Sequence, residues 1–316
     1  PMNSSAASDV YKRQVLDPIF NNFKPDIIFN LAAESHVDKS ITNPSHFIES
    51  NILGTFNLLE SIRKYLINFP EKSNIFKLIH ISTDEVFGSL GKKGYFNEQC
   101  KYEPNSPYSA SKASSDHLVR SWHKTFNIPA IITNCSNNFG PWQYPEKLIP
   151  LTIVNASRLK PIRIYGDGEN IRDWMYVFDH IDALISVANE GEKGETYCIG
   201  ANNTITNNNL VKSICEILDD LKPENKPHSK LMKYVPDRLG HDYRYAIDSS
   251  FIKHSIGWES KFNFNETLKL TENAQPALMA TGIAVVRVIE ELTGKTLSKI
   301  VSHAAGHSLG EYTSLV

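Results

Sequence analysis

FKLIHISTDEVFG, residues 76–88, decides the fold. Its first seven residues are rich in apolar and β-branched side chains, and the run breaks at once into Thr83, Asp84 and Glu85, the pattern of a buried strand followed by a polar end. Toward the N-terminus, PDIIFNLAA (25–33) is a second such run, and NPSHFIESNILGTFNLLESIRKYLI (43–67) between them spaces its apolar residues as a helix does. Strand, helix, strand is a crossover unit. Toward the C-terminus the order repeats, with a helix in SPYSASKASSDHLVRSWHKTF (106–126), a strand in PAIITNCS (129–136) and a helix in EKLIPLTIVNASRL (146–159). The chain therefore predicts an α/β fold, a doubly wound parallel sheet covered by helices on both faces, with ligands at the carboxyl ends of the strands. Past Pro161 the elements shorten, in PIRIYG (161–166), ETYCIG (195–200), NNNLVKSICEILDDL (207–221) and MKYVPDR (232–238), which predicts a smaller lobe closing over that edge.

Composition narrows the partners. With 41% hydrophobic and 22% charged residues over 316 positions, the chain reads as globular rather than disordered. A formal charge of −2, with no dense Lys/Arg cluster, gives no electrostatic footprint for nucleic acid or an anionic membrane. Cys100, Cys135, Cys198 and Cys215 lie far apart and form no C-x-x-C pair, arguing against a metal site or a disulfide framework and for a reducing cytoplasm. The apolar run GIAVVRVI (282–289) is interrupted by Arg287 and is too short to span a bilayer.

Two small constellations carry chemistry. Asp84 and Glu85 fall at the carboxyl end of a predicted strand, where two neighbouring carboxyls can be driven apart in pKa to serve as acid and base. Read alone, Thr83-Asp84-Glu85 is equally a solvated turn or a helix N-cap. In YSASK, Tyr108 and Lys112 stand four apart on one helical face, where an ammonium can lower a phenol's pKa. A lone Y-x-x-x-K is often only an exposed pair. Here it arrives one helix after the strand bearing Thr83, so hydroxyl, phenol and lysine converge on one strand end.

With these residues the chain resembles the extended short-chain dehydrogenase/reductases, a Rossmann-like family, and within them the dTDP-glucose 4,6-dehydratases. The likeness runs from about Val15 to Leu270 through FNLAAESHVDKSI, ISTDEVFG, PYSASKASSDHLV, TNCSNNFGPWQYPEKLIP, YGDGENIRDWMYV, PDRLGHDYRYAID and GWESKFNFNETL. Related sugar-nucleotide epimerases share the Tyr/Lys pair and usually lack the Asp-Glu pair. The resemblance implies NAD as cofactor, dTDP-glucose as substrate and a homodimer in the intact family. It also implies that Tyr108, assisted by Lys112 and Thr83, takes the sugar C4 hydroxyl proton as hydride passes to NAD. Glu85 would then remove the C5 proton and Asp84 protonate the departing C6 hydroxyl, before hydride returns to C6.

Carried over position by position, Leu31, Ala32, Ala33, Glu34, Ser35, Ser50 and Asn138, with Tyr108 and Lys112, line the cofactor. His36 lies beside the sugar with Thr83, and Asn137, Lys147, Leu148, Arg163, Ile164, Tyr165, Arg172, Asn207, Arg238 and His241 hold the nucleotide-sugar. A guanidinium fork suits pyrophosphate, although Arg172 alone reads equally as a buried ion pair with Asp173. Leu239, Tyr243 and Arg163 depart from the family's expected residues, which leaves the nucleobase preference open.

One departure is larger. The family opens with a strand, a Gly-rich turn and a helix whose N-terminus receives the NAD pyrophosphate, yet no glycine precedes Gly54 here. The expectation is a Rossmann half lacking its first βα units, with 1–14 a polar leader, 15–160 the partial cofactor domain and 161–270 mainly the sugar-nucleotide lobe. A second break falls near Thr271, before which 26 of the 27 asparagines occur. ENAQPALMATGIAVVRVIEELTGK and AGHSLGEYTSLV beyond it resemble the malonyl-CoA:acyl-carrier-protein transacylases, with Ser308 as the G-x-S-x-G nucleophile. No His follows Ser308 to act as its base, so residues 271–316 are expected to be an appended helical and strand fragment with an inert serine. The competing readings are a transacylase, another sugar-nucleotide dehydratase or epimerase, and a non-catalytic fragment that at most binds nucleotide-sugar.

Overall fold

The computed structural model describes residues 13–141 and 143–271. Ser308, the expected transacylase-like segment after Thr271 and nearly all of the expected leader lie outside these residues. Nine strands are described: β1 (Ile27–Asn30), β2 (Lys77–Thr83), β3 (Ala130–Cys135), β4 (Asn137–Phe139), β5 (Ile162–Tyr165), β6 (Ile171–Tyr176), β7 (Thr196–Ile199), β8 (Thr204–Thr206) and β9 (Met232–Val235). Helices of ten residues or more are α1 (Arg13–Phe23), α2 (Gly54–Asn68), α3 (Pro107–Phe126), α4 (Leu148–Ser157), α5 (Val177–Glu190) and α6 (Asn207–Leu221).

Four strands form the main sheet in the order β1-β2-β3-β7, all parallel, with Ile28 opposite Leu78, Ile79 opposite Ile131 and Thr133 opposite Tyr197. Parallel strands covered on both faces read as continuous apolar runs, the texture seen in FKLIHIS and PAIITNC. On one face Leu59, Ile62 and Tyr65 of α2 and Val119 of α3 pack on Leu78 and Ile132. On the other, Ala183, Leu184 and Val187 of α5 pack on Ile79, Ile131 and Tyr197. The predicted doubly wound sheet is therefore present. The smaller lobe holds the β4-β6-β8 sheet and the β5-β9 pair around Phe139, Ile149, Ile162, Trp174, Leu210 and Ile214.

Two elements differ from expectation. The single helix expected over 43–67 begins as Ser45–Phe47, passes through a π-helical turn at Ile48–Leu53 and only then enters α2. The wider turn rotates Ser50 and Asn51 relative to a continuous helix, a device common at functional sites. ETYCIG, expected in the smaller lobe, instead supplies β7 to the main sheet, and all four of its strand residues are buried. A run of four buried residues marks a strand covered on both faces, here at the end of the sheet order.

Candidate active site

The site forms where β2 ends. Thr83 caps a short 3-10 turn, Asp84–Phe87, by accepting the Glu85 backbone N–H at 3.3 Å, which turns the two carboxyls off the strand together. Facing them is the first turn of α3, whose start is fixed by a Ser106–Ser109 capping box and Pro107 at its head. Those caps set the phase of the helix, and so deliver Tyr108 and Lys112 to the sheet side, where both are buried.

Burial, with the neighbouring charges of Glu85 and Asp173, raises Asp84 well above the ordinary carboxyl range. Burial also raises Glu85, but Arg172 and Lys147 pull against it. Arg172 and Thr83 pull Asp84 down without cancelling its rise, so Asp84 is the more strongly raised of the two and the better proton donor, while Glu85 is the group more readily ionised. Asp84 Oδ2 is buried with no hydrogen-bond partner, an atom free for something placed beside it. The Tyr108 phenol departs from the expected lowering. Burial and the Glu85 charge push it up, opposed only by contact with the Thr83 hydroxyl, because the Lys112 ammonium is turned to the Ile81 carbonyl at 2.8 Å.

The expected cofactor residues Leu31, Ala32, Ala33, Glu34 and Ser35 form the loop after β1, with Leu31 60% exposed. Asn51 holds this loop. Its Oδ1 accepts the Glu34 N–H at 2.9 Å, and its Nδ2 donates to Glu34 O at 3.0 Å and to Ser111 Oγ at 2.8 Å, tying the loop to α3. Sequence reasoning passed over Asn51, since neither period nor spacing reveals a clamp between residues 17 and 60 positions apart. Ser50 Oγ and Asn138 Oδ1, expected at the cofactor, and Asn137 Oδ1, expected at the nucleotide-sugar, are buried without partners, so these positions fit a polar group of a bound molecule. No glycine precedes Gly54, so that fit does not extend to a Gly-rich pyrophosphate turn.

The expected sugar-nucleotide residues converge in part. Lys147 donates to Ser35 O at 2.7 Å, while His36 Nε2 lies 3.7 Å from Glu146 and is pulled below its ordinary pKa chiefly by burial. Arg172 does not pair with Asp173. It lies 4.3 Å over the Tyr245 ring and donates to the Ile171 and Asp242 carbonyls at 2.8 and 2.9 Å. Arg238 grips Asp38 through Nε at 2.6 Å and Nη2 at 3.2 Å and stacks over Tyr165, whose hydroxyl also reaches Asp38 at 3.2 Å. His241 pairs with Asp237 at 2.6 Å and meets Tyr165 edge-on. The charges of Lys147, Arg172 and Arg238 all act on Glu85, which brings the three cations to the carboxyl pair. Along β5 Arg163 is exposed, and the Ile164 side chain is spent in the lobe's core, so it is not brought to the site. Leu148 and Asn207 stand at the first positions of α4 and α6. Asp38 was not singled out from the sequence, because an acid opposing a phosphate-gripping arginine has no motif.

A hollow of about 280 Å³ between Phe87, Tyr102, His117 and Arg120 holds none of these expected residues. Among the described residues no group of three or more His, Cys, Asp or Glu is arranged to hold a metal ion, and no helix is long and apolar enough to cross a membrane. All four cysteines are free.

A parallel sheet with a carboxyl pair, a tyrosine and a lysine at one strand end defines an α/β sugar-nucleotide enzyme class, and sequence comparison agrees. The chain belongs to the GDP-mannose 4,6 dehydratase family, whose sequence model matches residues 4–271. That match reaches back into the stretch expected to be a leader. The chain is 51% identical over 270 residues to the dTDP-glucose 4,6-dehydratase of Neisseria meningitidis serogroup B, covering 83% of this chain and 76% of that protein. It is 47% identical over 265 residues to a probable dTDP-glucose 4,6-dehydratase of Sinorhizobium fredii, covering 84% and 76%. The structure is similar to that of DesIV, a dTDP-glucose 4,6-dehydratase of Streptomyces venezuelae solved with NAD bound, with a TM-score of 0.77, 36% identity and coverage of 84% and 77%.

Proposed function

We propose that the chain carries the catalytic centre of a dTDP-glucose 4,6-dehydratase, a lyase that forms dTDP-4-dehydro-6-deoxyglucose and recycles NAD internally. The observation that carries this reading is the adjacent pair of buried Asp84 and part-buried Glu85, whose charges act on Tyr108 and on which Arg172, Lys147 and Arg238 act in turn. An epimerase needs the tyrosine but has no use for a neighbouring acid and base. Elimination across C5 and C6 needs both.

In this reading Arg172 and Arg238 grip the pyrophosphate, Arg238 exchanging Asp38 for phosphate oxygens. Tyr108, once ionised, takes the C4 hydroxyl proton; burial keeps it a neutral phenol in the unliganded site, so binding beside it would have to lower its pKa. Glu85 takes the C5 proton once a ketone stands at C4, and Asp84 gives its proton to the C6 hydroxyl, which leaves as water. NAD, when bound, supplies the oxidant at C4 and the reductant at C6; Leu31–Ser35, Ser50, Lys112 and Asn138 are the residues that hold its nicotinamide end. The dimer implied by the resemblance, the division at residue 160 and the appended segment with an inert Ser308 belong to the same proposal.

Calorimetric titration with dTDP-glucose tests the binding half of the reading. Saturable binding is expected, weakened about tenfold or more in Arg172→Met through loss of a charged hydrogen bond. No binding, or equal affinity in both chains, contradicts it. Incubation with malonyl-CoA should leave Ser308 without a malonyl adduct by mass spectrometry, and a stoichiometric adduct would overturn the expectation of an inert serine.

A further inference from the structure

Behind the tyrosine and lysine lies a buried polar cluster to which no role has yet been given. Tyr108, Lys112 and Asp116 follow at intervals of four on α3 and share one face of the helix. Asp116 is fully buried and His80 nearly so. Asp116 Oδ2 accepts from Ser82 Oγ at 2.7 Å, Tyr102 OH at 3.0 Å and Asn134 Nδ2 at 3.3 Å. Its other oxygen lies 3.2 Å from His80 Nε2, whose ring is met on the far side by Asn30 Nδ2 at 3.1 Å. Three donors on one carboxyl oxygen in a dry interior favour the ionised form. Burial alone would push Asp116 up, but contact with His80, the Lys112 charge and the Ser82 hydroxyl outweigh it and hold the carboxyl below its ordinary value.

Lys112 has the opposite problem. Burial drives it toward the neutral amine, and Asp116 is the first group acting against that. The ionisable groups acting on it are Asp116 on its own helix and Cys135 on β3, and its own charge acts on His80 on β2. Burial pushes the Cys135 thiol up to about 12, raises the Tyr108 phenol and lowers His80, so all three are uncharged near neutral pH. Asp116 is the anion that remains.

We propose that Asp116 is a positioning residue for the tyrosine and lysine pair: its carboxylate, fixed by Ser82, Tyr102 and Asn134, keeps Lys112 a cation in the protein interior. Protonated, Lys112 spends one N–H on Ile81 O and keeps two more for what binds beside it. The catalytic importance of that cation rests on the dehydratase reading. The coupling itself does not, and its test needs no turnover.

The measurement is the pH titration of the Lys112 ¹⁵Nζ and ¹³Cε resonances in the full chain, in Asp116→Asn and in Tyr102→Phe. Asp116→Asn keeps the shape and removes the charge, and should lower the Lys112 midpoint by about one pH unit or more. Tyr102→Phe removes a hydrogen bond to the same carboxylate but leaves its charge, and should leave the midpoint where it was. Because coupling between two sites is reciprocal, Lys112→Met should raise the Asp116 carboxyl midpoint by a similar amount, an arm that stands even where Asp116→Asn fails to fold. An unmoved Lys112 in folded Asp116→Asn, an unmoved Asp116 in Lys112→Met, or equal shifts in Asp116→Asn and Tyr102→Phe would overturn the proposal.

Discussion

Asp84 and Glu85 are neighbours in sequence, yet their surroundings separate them. Burial and the charges of Glu85 and Asp173 raise Asp84 well above the carboxyl range, whereas burial raises Glu85 less far against the pull of Arg172 and Lys147. The division of labour predicts different defects when variants are assayed with dTDP-glucose and NAD. Glu85→Gln should slow release of the C5 proton by about 10²–10⁴-fold while C4 oxidation persists, so a 4-keto-glucose accumulates by NMR. Tyr108→Phe should suppress C4 oxidation itself. Loss of both steps in Glu85→Gln, or of neither in Tyr108→Phe, would show the roles to be misassigned. The Asp-Glu pair, the tyrosine and the lysine were legible in the sequence because each sits at a fixed offset from a recognisable strand or helix end. Asn51, Asp38 and Asp116 were not, because their partners are fixed only when distant segments pack. The lowered phenol read from Y-x-x-x-K failed for a related reason. Spacing gives the side shared by Tyr108 and Lys112, but not the Ile81 carbonyl that draws the ammonium away.

At the scale of elements, strands buried on both faces announced themselves as apolar runs, and α3 announced its ends with Ser106-Pro107 and with Asn127, which takes the left-handed conformation at φ 55°. The π-helical turn at Ile48–Leu53 and the membership of β7 depend on tertiary packing and left no local signal. Helix α5 offers a test of how tightly the sheet's second face is closed. His180, fully buried there, is pushed down from 6.5 to about 4 by burial. A depressed folded-state value means that its contribution is complete above about pH 6.5 and is lost as the pH falls toward about 4, because the unfolded chain takes up the proton first. Asp173, raised from 3.8 to about 6 by burial, acts in the opposite sense, contributing below 3.8 and losing that contribution as the pH rises toward 6. Denaturant midpoints of His180→Leu should therefore fall less than those of the unmodified chain between pH 7 and pH 4. An equal or steeper fall would mean that His180 is hydrated in the folded state.

For the molecule as a whole, the main sheet ends in β1 and β7, and no described strand covers either edge. β1 pairs with β2 alone, and Ile27 and Phe29 are each 40% exposed beside it. An open parallel edge with apolar side chains invites association. The protein itself allows the most direct test of the central claim, that Asp84, Glu85 and Tyr108 form one eliminating site. Incubated in D₂O with dTDP-glucose and NAD, it should release a 4-keto-6-deoxy sugar carrying deuterium at C5, introduced where Glu85 exchanged its proton with solvent. A 4-epimerised sugar with hydrogen retained at C5 and oxygen retained at C6 would contradict the account.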